Sequence, residues 1–194
     1  MKFSNRNELL NYLDREVQRQ AVIVKEQLFP LSHSALLWKP DAETWNICEC
    51  LEHLNLFARY YSLQLRLRTS DLPPENGAQH ERFSSGWFGS WILKALSPER
   101  DQKMKTLSRY NPKFGNADEN PIQEFLLHLR ELQIVIDRAR NLNLNRHRVP
   151  VQFFPILTLN LGDALQFMLL HQQRHLNQAL ELVPGNEIPL LARN

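Results

Sequence analysis

The chain reads as an all-α protein: a four-helix bundle with a short extra helix in the long connection between its second and third helices. Three observations predict this. Four long segments carry apolar residues at helical spacing, helix start and stop signals mark their ends, and no strand signal competes with them. Their apolar stripes can be buried only against one another, which is what a bundle does. The length of 194 residues fits a single domain, taken as 1–194, with room for a sizeable core.

The first helix is expected from about Asn5 to Phe29. Asn5 and Glu8 have the spacing of a capping box, Leu9, Leu13, Val17 and Val24 line one face, and Pro30 follows the end. A loop then passes through Trp38, Pro40 and Trp45. The second helix starts at Asn46, whose side chain can accept from the Glu49 amide while Glu49 reaches back; Trp45 occupies the hydrophobic-staple position. Its stripe is Ile47, Leu51, Leu54, Ala58, Tyr61 and Leu65, and it ends near Arg68.

Residues 70 to 118 are the least regular part, with Pro73, Pro74, Pro98 and Pro112. Within them Trp87 to Leu96 predicts one helix of two or three turns. A long excursion with its own aromatic residues is either a lid over a site or an interface. The third helix begins clearly: Asn120 caps, Pro121 suits the first helical position, and Gln123 completes the box. It runs to about Leu142 with Phe125, Leu129, Leu132, Ile136 and Ala139 inward. A connection holding Pro150 and Pro155 leads to the fourth helix, read from Thr158 until Pro184-Gly185 stops it.

Composition excludes several classes. A net charge of +2 and the absence of a basic block argue against nucleic acid as a partner. No stretch approaches the roughly 18 apolar residues of a membrane span, and MKFSNRNELL has no apolar run of signal-peptide type. The expectation is a cytoplasmic protein with a small-molecule substrate. Cys48 and Cys50, two residues apart on a helix, point in nearly opposite directions; they are expected as buried free thiols.

The chemistry-bearing stretch is HQQRHLNQ, residues 171 to 178. His171 and His175 are four apart, so on a helix they lie one above the other and can share one metal ion. The same face continues as Ala164 and Met168, which turns the pair toward the bundle interior, where unpaired imidazoles would be costly. Two histidines hydrogen-bonded to their neighbours would satisfy the same spacing. His53, flanked by Cys50, Phe57 and Tyr60 on the second helix, is a candidate third ligand. Three neutral imidazoles leave a position open for water or substrate, as catalytic zinc sites do, and they equally suit nickel, iron or copper. Gln178 is a candidate to orient a ligand, and Tyr60 to contact substrate. A zincin would need Glu where Gln172 stands, and a di-iron carboxylate bundle would need several inward Glu residues and ExxH pairs. His33, His80, His128 and His147 have no partner at chelating spacing.

WNICECLEHLNLF resembles the W-S-x-x-E-x-x-x-H-L stretch of DinB-like (DinB/YfiT) proteins. HQQRHLNQ resembles their H-x-x-x-H-x-x-Q, and KPDAETW their loop before the second helix. The two histidine motifs stand about 120 residues apart in the expected order; Asn46 replaces the usual Ser and keeps a cap. The resemblance implies an up-down-down-up four-helix bundle, often a homodimer, with a divalent metal (zinc or nickel foremost, then iron) on His53, His171 and His175. It further implies a transferase or isomerase using a thiol such as bacillithiol or mycothiol, or a metal-dependent hydrolase. In the enzyme reading the metal lowers the pKa of a low-molecular-weight thiol or water, which attacks an electrophile. The alternative is a non-catalytic dimeric bundle whose metal is structural or vestigial.

Overall fold

The computed structural model describes residues 3, 5–70, 72–75, 82–96, 110–112 and 120–185. The described chain is mostly helical, with one small hairpin: α1 (Arg6–Ile23), α2 (His33–Leu37), α3 (Ile47–Leu67), α4 (Trp87–Leu96), α5 (Pro121–Ala139), β1 (Arg148–Val151), β2 (Phe154–Asn160) and α6 (Leu161–Leu180). The four long helices are the four predicted ones, and α4 has the bounds expected of the extra helix. None of the described helices is long and apolar enough to cross a membrane.

Each of α1 and α3 packs against both α5 and α6, so the four enclose a common core. The predicted stripes fill it. Leu9, Leu13, Val17, Leu51, Leu54, Tyr61, Phe125, Leu129 and Ile136 are all buried. Each such side chain contributes roughly 1.5–3 kcal/mol relative to exposure, which outweighs any single propensity along the helices. Cys48 and Cys50 are free and buried, as expected.

The caps that matter for the site are those of α3 and α6. Asn46 Oδ1 accepts from the Glu49 amide at 2.8 Å while the Asn46 amide donates to Glu49 Oε2 at 2.9 Å, and Lys39 Nζ lies 2.7 Å from Glu49 Oε1. This fixes where α3 starts and holds the residue before it, Trp45. At α6, Asn160 Oδ1 accepts from the Asp163 amide at 2.7 Å and Asn160 Nδ2 donates to Ser84 O at 3.1 Å. Between α3 and α5, Arg59 bridges Glu52 and α5's Glu124, with Nε 2.6 Å from Glu124 Oε1.

The structure corrects the sequence reading in four places. α1 ends at Ile23 and continues as a π-helical turn, Val24–Leu28, closed by Phe29 N–H on Val24 O at 2.9 Å. The loop around Trp38 is preceded by a one-turn helix, α2, capped by Ser32. α5 ends at Ala139, three residues before Leu142. The connection holding Pro150 and Pro155 is an antiparallel hairpin in which Arg148 faces Asn160 and Pro150 faces Thr158, with an irregularity at Pro150/Val151. Val149 and Val151 alternate inward while Pro150 turns out. In a two-stranded sheet each strand has a free edge, so a proline's missing N–H breaks no ladder. α6 consequently begins at Leu161 rather than Thr158. His80 lies outside the described residues.

α4 is fastened to α6 by Asp163. Its carboxylate accepts from the Gly86 amide at 2.9 Å and from the Ser85 hydroxyl, so it caps the start of α4 from another helix. A Cβ at Gly89 would sit 2.0 Å from Asp163 Oδ2 and 2.3 Å from its Cγ. In an exposed helix Gly→Ala gains about 1 kcal/mol. Here the sign reverses: Gly89→Ala must push the carboxylate off its donors and should lower the unfolding free energy by about 1–3 kcal/mol. Urea denaturation measures it, and an unchanged or raised midpoint would contradict the contact.

Candidate metal centre

α3 and α6 pack side by side, and this brings His53 to the His171/His175 pair. One ligand atom from each of the three lies within 4.8 Å of the others. The ring centroids are 5.1 Å apart for His53 and His171, 4.5 Å for His53 and His175, and 4.8 Å for His171 and His175. His53 Nε2 lies 3.2 Å from His171 Nε2. Two imidazole nitrogens bound to one tetrahedral ion at 2.0–2.1 Å would be about 3.3 Å apart, so the observed spacing fits a shared cation.

The outer nitrogens set the tautomers. His53 Nδ1 donates to the Tyr110 carbonyl at 2.9 Å, and His175 Nδ1 donates to Gln178 Oε1 at 3.2 Å. A carbonyl oxygen can only accept, so both rings carry hydrogen on Nδ1 and a lone pair on Nε2. This is the outer-shell pattern of metal-bound histidine, in which the second nitrogen is held by a carbonyl or amide. His171 Nδ1 is buried and has no hydrogen-bond partner among the described residues. His171 Nε2–H can donate to His53 Nε2; for His171 to hold a cation through Nε2 it would have to carry its hydrogen on Nδ1 instead.

Burial keeps all three rings neutral. Desolvation holds His53 below its ordinary value, countered in part by the Tyr110 carbonyl. His171 is pushed well below, by desolvation first and then by His175 and His53, and His175 is pushed down to about 3 by desolvation and His53. Neutral imidazole is the form that ligates a metal. The residue types, spacing and protonation therefore fit a divalent ion.

An aromatic collar surrounds the rings. Trp45 packs on His53 and His175, with centroids at 4.9 and 5.7 Å. Phe57 lies 5.0 Å from His53 and 4.4 Å from His171, and Phe167 stacks on His171 at 5.9 Å. Tyr110 packs on Phe57 at 5.1 Å. His53 and His171 are buried, whereas His175, Gln178 and Trp45 are half-buried and form the solvent side. Of the two further candidates, Gln178 touches a histidine. Tyr60 stands toward the hairpin, its hydroxyl 3.5 Å from Pro150 O and its ring edge-on to Tyr61.

Sequence reasoning missed three contributors, one of them Phe167 of α6, a core residue it did not single out. Trp45 was expected to staple the start of α3, but its ring lies on the histidines; its position one residue before the cap was visible, its direction was not. Tyr110 contributes a backbone carbonyl, which every residue has, so no side-chain pattern could announce it.

No curated protein and no solved structure matches the chain. A family model described as DinB superfamily matches residues 24–179, a span that includes all three histidines, Trp45 and Gln178. The chain belongs to the DinB superfamily.

Proposed function

We propose that this protein holds a divalent metal ion on His53, His171 and His175 and acts as a metal-dependent thiol S-transferase or hydrolase on an electrophilic small molecule. The observation that carries the reading is the convergence of three neutral imidazoles from two helices, two of them buried and one half-buried, and two with their outer nitrogens held by oxygen acceptors. Three protein donors are the number found where a metal keeps a position for water or substrate, which favours an enzyme over a structural site. A bound divalent ion lowers the pKa of a coordinated thiol or water and so supplies a nucleophile at neutral pH. The chain's own residues bind, orient and shield: Tyr110 O and Gln178 fix two ligand rings, and Phe57, Phe167 and Trp45 keep the centre dry. In this reading the chain is one domain, its four long helices run up-down-down-up, zinc or nickel is the resident ion, and the protein pairs as a homodimer in the cytoplasm.

The test is elemental analysis of the purified full chain with activity against a thiol panel. The protein should carry about one equivalent of divalent metal per chain, and His171→Ala should weaken metal binding by more than about 100-fold, the upper end for loss of an outer hydrogen bond alone. Stoichiometric metal retained by His171→Ala would refute the site. Metal without conjugating or hydrolytic turnover would leave a scaffold.

The metal-free protein should also show a pH signature. The histidines' folded pKa values lie below the unfolded value of 6.5. The unfolded chain therefore takes up protons first as pH falls, and stability present above 6.5 is lost below it. Each histidine should contribute a slope of up to about 1.4 kcal/mol per pH unit. Urea denaturation of metal-stripped protein between pH 7.5 and 5 should give a falling midpoint, shallower in His175→Gln; identical curves would mean the rings are not buried neutral.

A further inference from the structure

The collar around the histidines is not uniform. Phe57 and Phe167 are 6% and 2% exposed and are spent on the core, Phe57 against Tyr61 and Tyr110, Phe167 against Tyr61. Trp45 is half-buried, and its indole lies on two of the three imidazoles. Gln178 and His175 are the other half-buried members. Of the residues against the three rings, Trp45 and Gln178 are thus the ones that keep partial contact with solvent.

Trp45 is also held rigidly. The next residue, Asn46, is locked by the reciprocal capping box and by Lys39 on Glu49. A preorganised aromatic face loses little freedom when a ligand stacks on it. An indole offers a large flat apolar surface with a negative face, suited to offset or edge-on packing of another ring.

We infer that Trp45 is a specificity-determining residue of this site: its indole is the outer wall, and it selects ligands whose metal-binding sulfur or nitrogen carries a flat apolar body. This rests on the proposal that the three histidines bind a metal. The substrate class is thus an aromatic or otherwise planar apolar compound with a soft donor atom, rather than a sugar or a phosphate ester.

The test uses the full chain, stripped of metal and loaded with Co²⁺, titrated with imidazole and with 4-phenylimidazole and followed by the cobalt visible spectrum. In the wild type, phenylimidazole should bind about tenfold tighter than imidazole, the size expected for one buried, stacked ring. In Trp45→Leu that ratio should fall to about twofold or less, read as a ratio so that any change in cobalt or imidazole affinity cancels, and Trp45→Phe should restore most of it. A ratio as large in Trp45→Leu as in the wild type, or no preference in the wild type, overturns the inference while the metal site stands. Failure of the wild type to bind cobalt overturns the metal proposal and this inference with it. Should Trp45→Leu fail to fold, the wild type and Trp45→Phe carry the test: phenylimidazole should quench tryptophan emission in the first and not in the second, and equal quenching in both places the ligand elsewhere.

Discussion

Three imidazoles share one small volume inside this protein, and the rest of the architecture answers to the cost of putting them there. A buried polar nitrogen without a partner destabilises the fold by about 1–3 kcal/mol. Of the six ring nitrogens, His53 Nδ1 and His175 Nδ1 are satisfied by Tyr110 O and Gln178 Oε1. Those bonds oblige the inner nitrogens of the same two rings to present lone pairs. Lone pairs that face one another repel unless a proton or a cation stands between them. Protonation is opposed by burial, since desolvation is the first cause lowering every one of these histidines. A neutral His171 with its hydrogen on Nε2 meets the lone pair of His53 alone; a divalent ion would meet all three rings without asking any of them to carry charge.

Holding that volume to within an ångström requires α3 and α6 to keep a fixed rotation and height. The rotation comes from the stripes, because Leu51, Leu54 and Ala58 of α3 and Ala164, Leu165 and Met168 of α6 must all be inside together. The height comes from the caps. Asn46 and Glu49 set the first turn of α3 two turns before His53, and Asn160 sets the first turn of α6 three turns before His171. Asp163 adds a second constraint at the α6 start by serving α4 as well. The centre is therefore positioned by regular elements rather than by loops, which favours precise ligand geometry.

What the sequence made legible follows the same division. The helices, the Asn46 box, the inward stripes and the three histidines are all periodic or cap signals, and side chains write those directly. The hairpin was hidden because Pro150 and Pro155 read as breakers, although Val149 and Val151 bury in alternation. The start of α6 slipped by three residues for the same reason. Trp45 was visible as a staple, yet the choice between packing on its own helix and packing on His175 of another helix is made by tertiary contact alone. The carbonyl of Tyr110 belongs to the segment between α4 and α5, whose connection to His53 spans 57 residues and leaves no local trace.

The chain's own thiols bear on what chemistry such a centre can do. Cys48 and Cys50 sit on α3 within two turns of His53, and the sequence reads them as buried free thiols. Both are buried, and burial pushes Cys48 up to about 11 and Cys50 further still, with Glu49 adding to each. At neutral pH neither supplies an appreciable amount of thiolate, the reactive form. Cys50 packs within the apolar core and Cys48 is likewise shielded. A thiol chemistry at the three histidines thus has to draw its sulfur from a molecule in solution. A site with an internal nucleophile would need only to admit an electrophile; under the proposed function two reactants are held at once, and the half-buried indole beside His175 is the surface for the body of the one that binds through its donor atom.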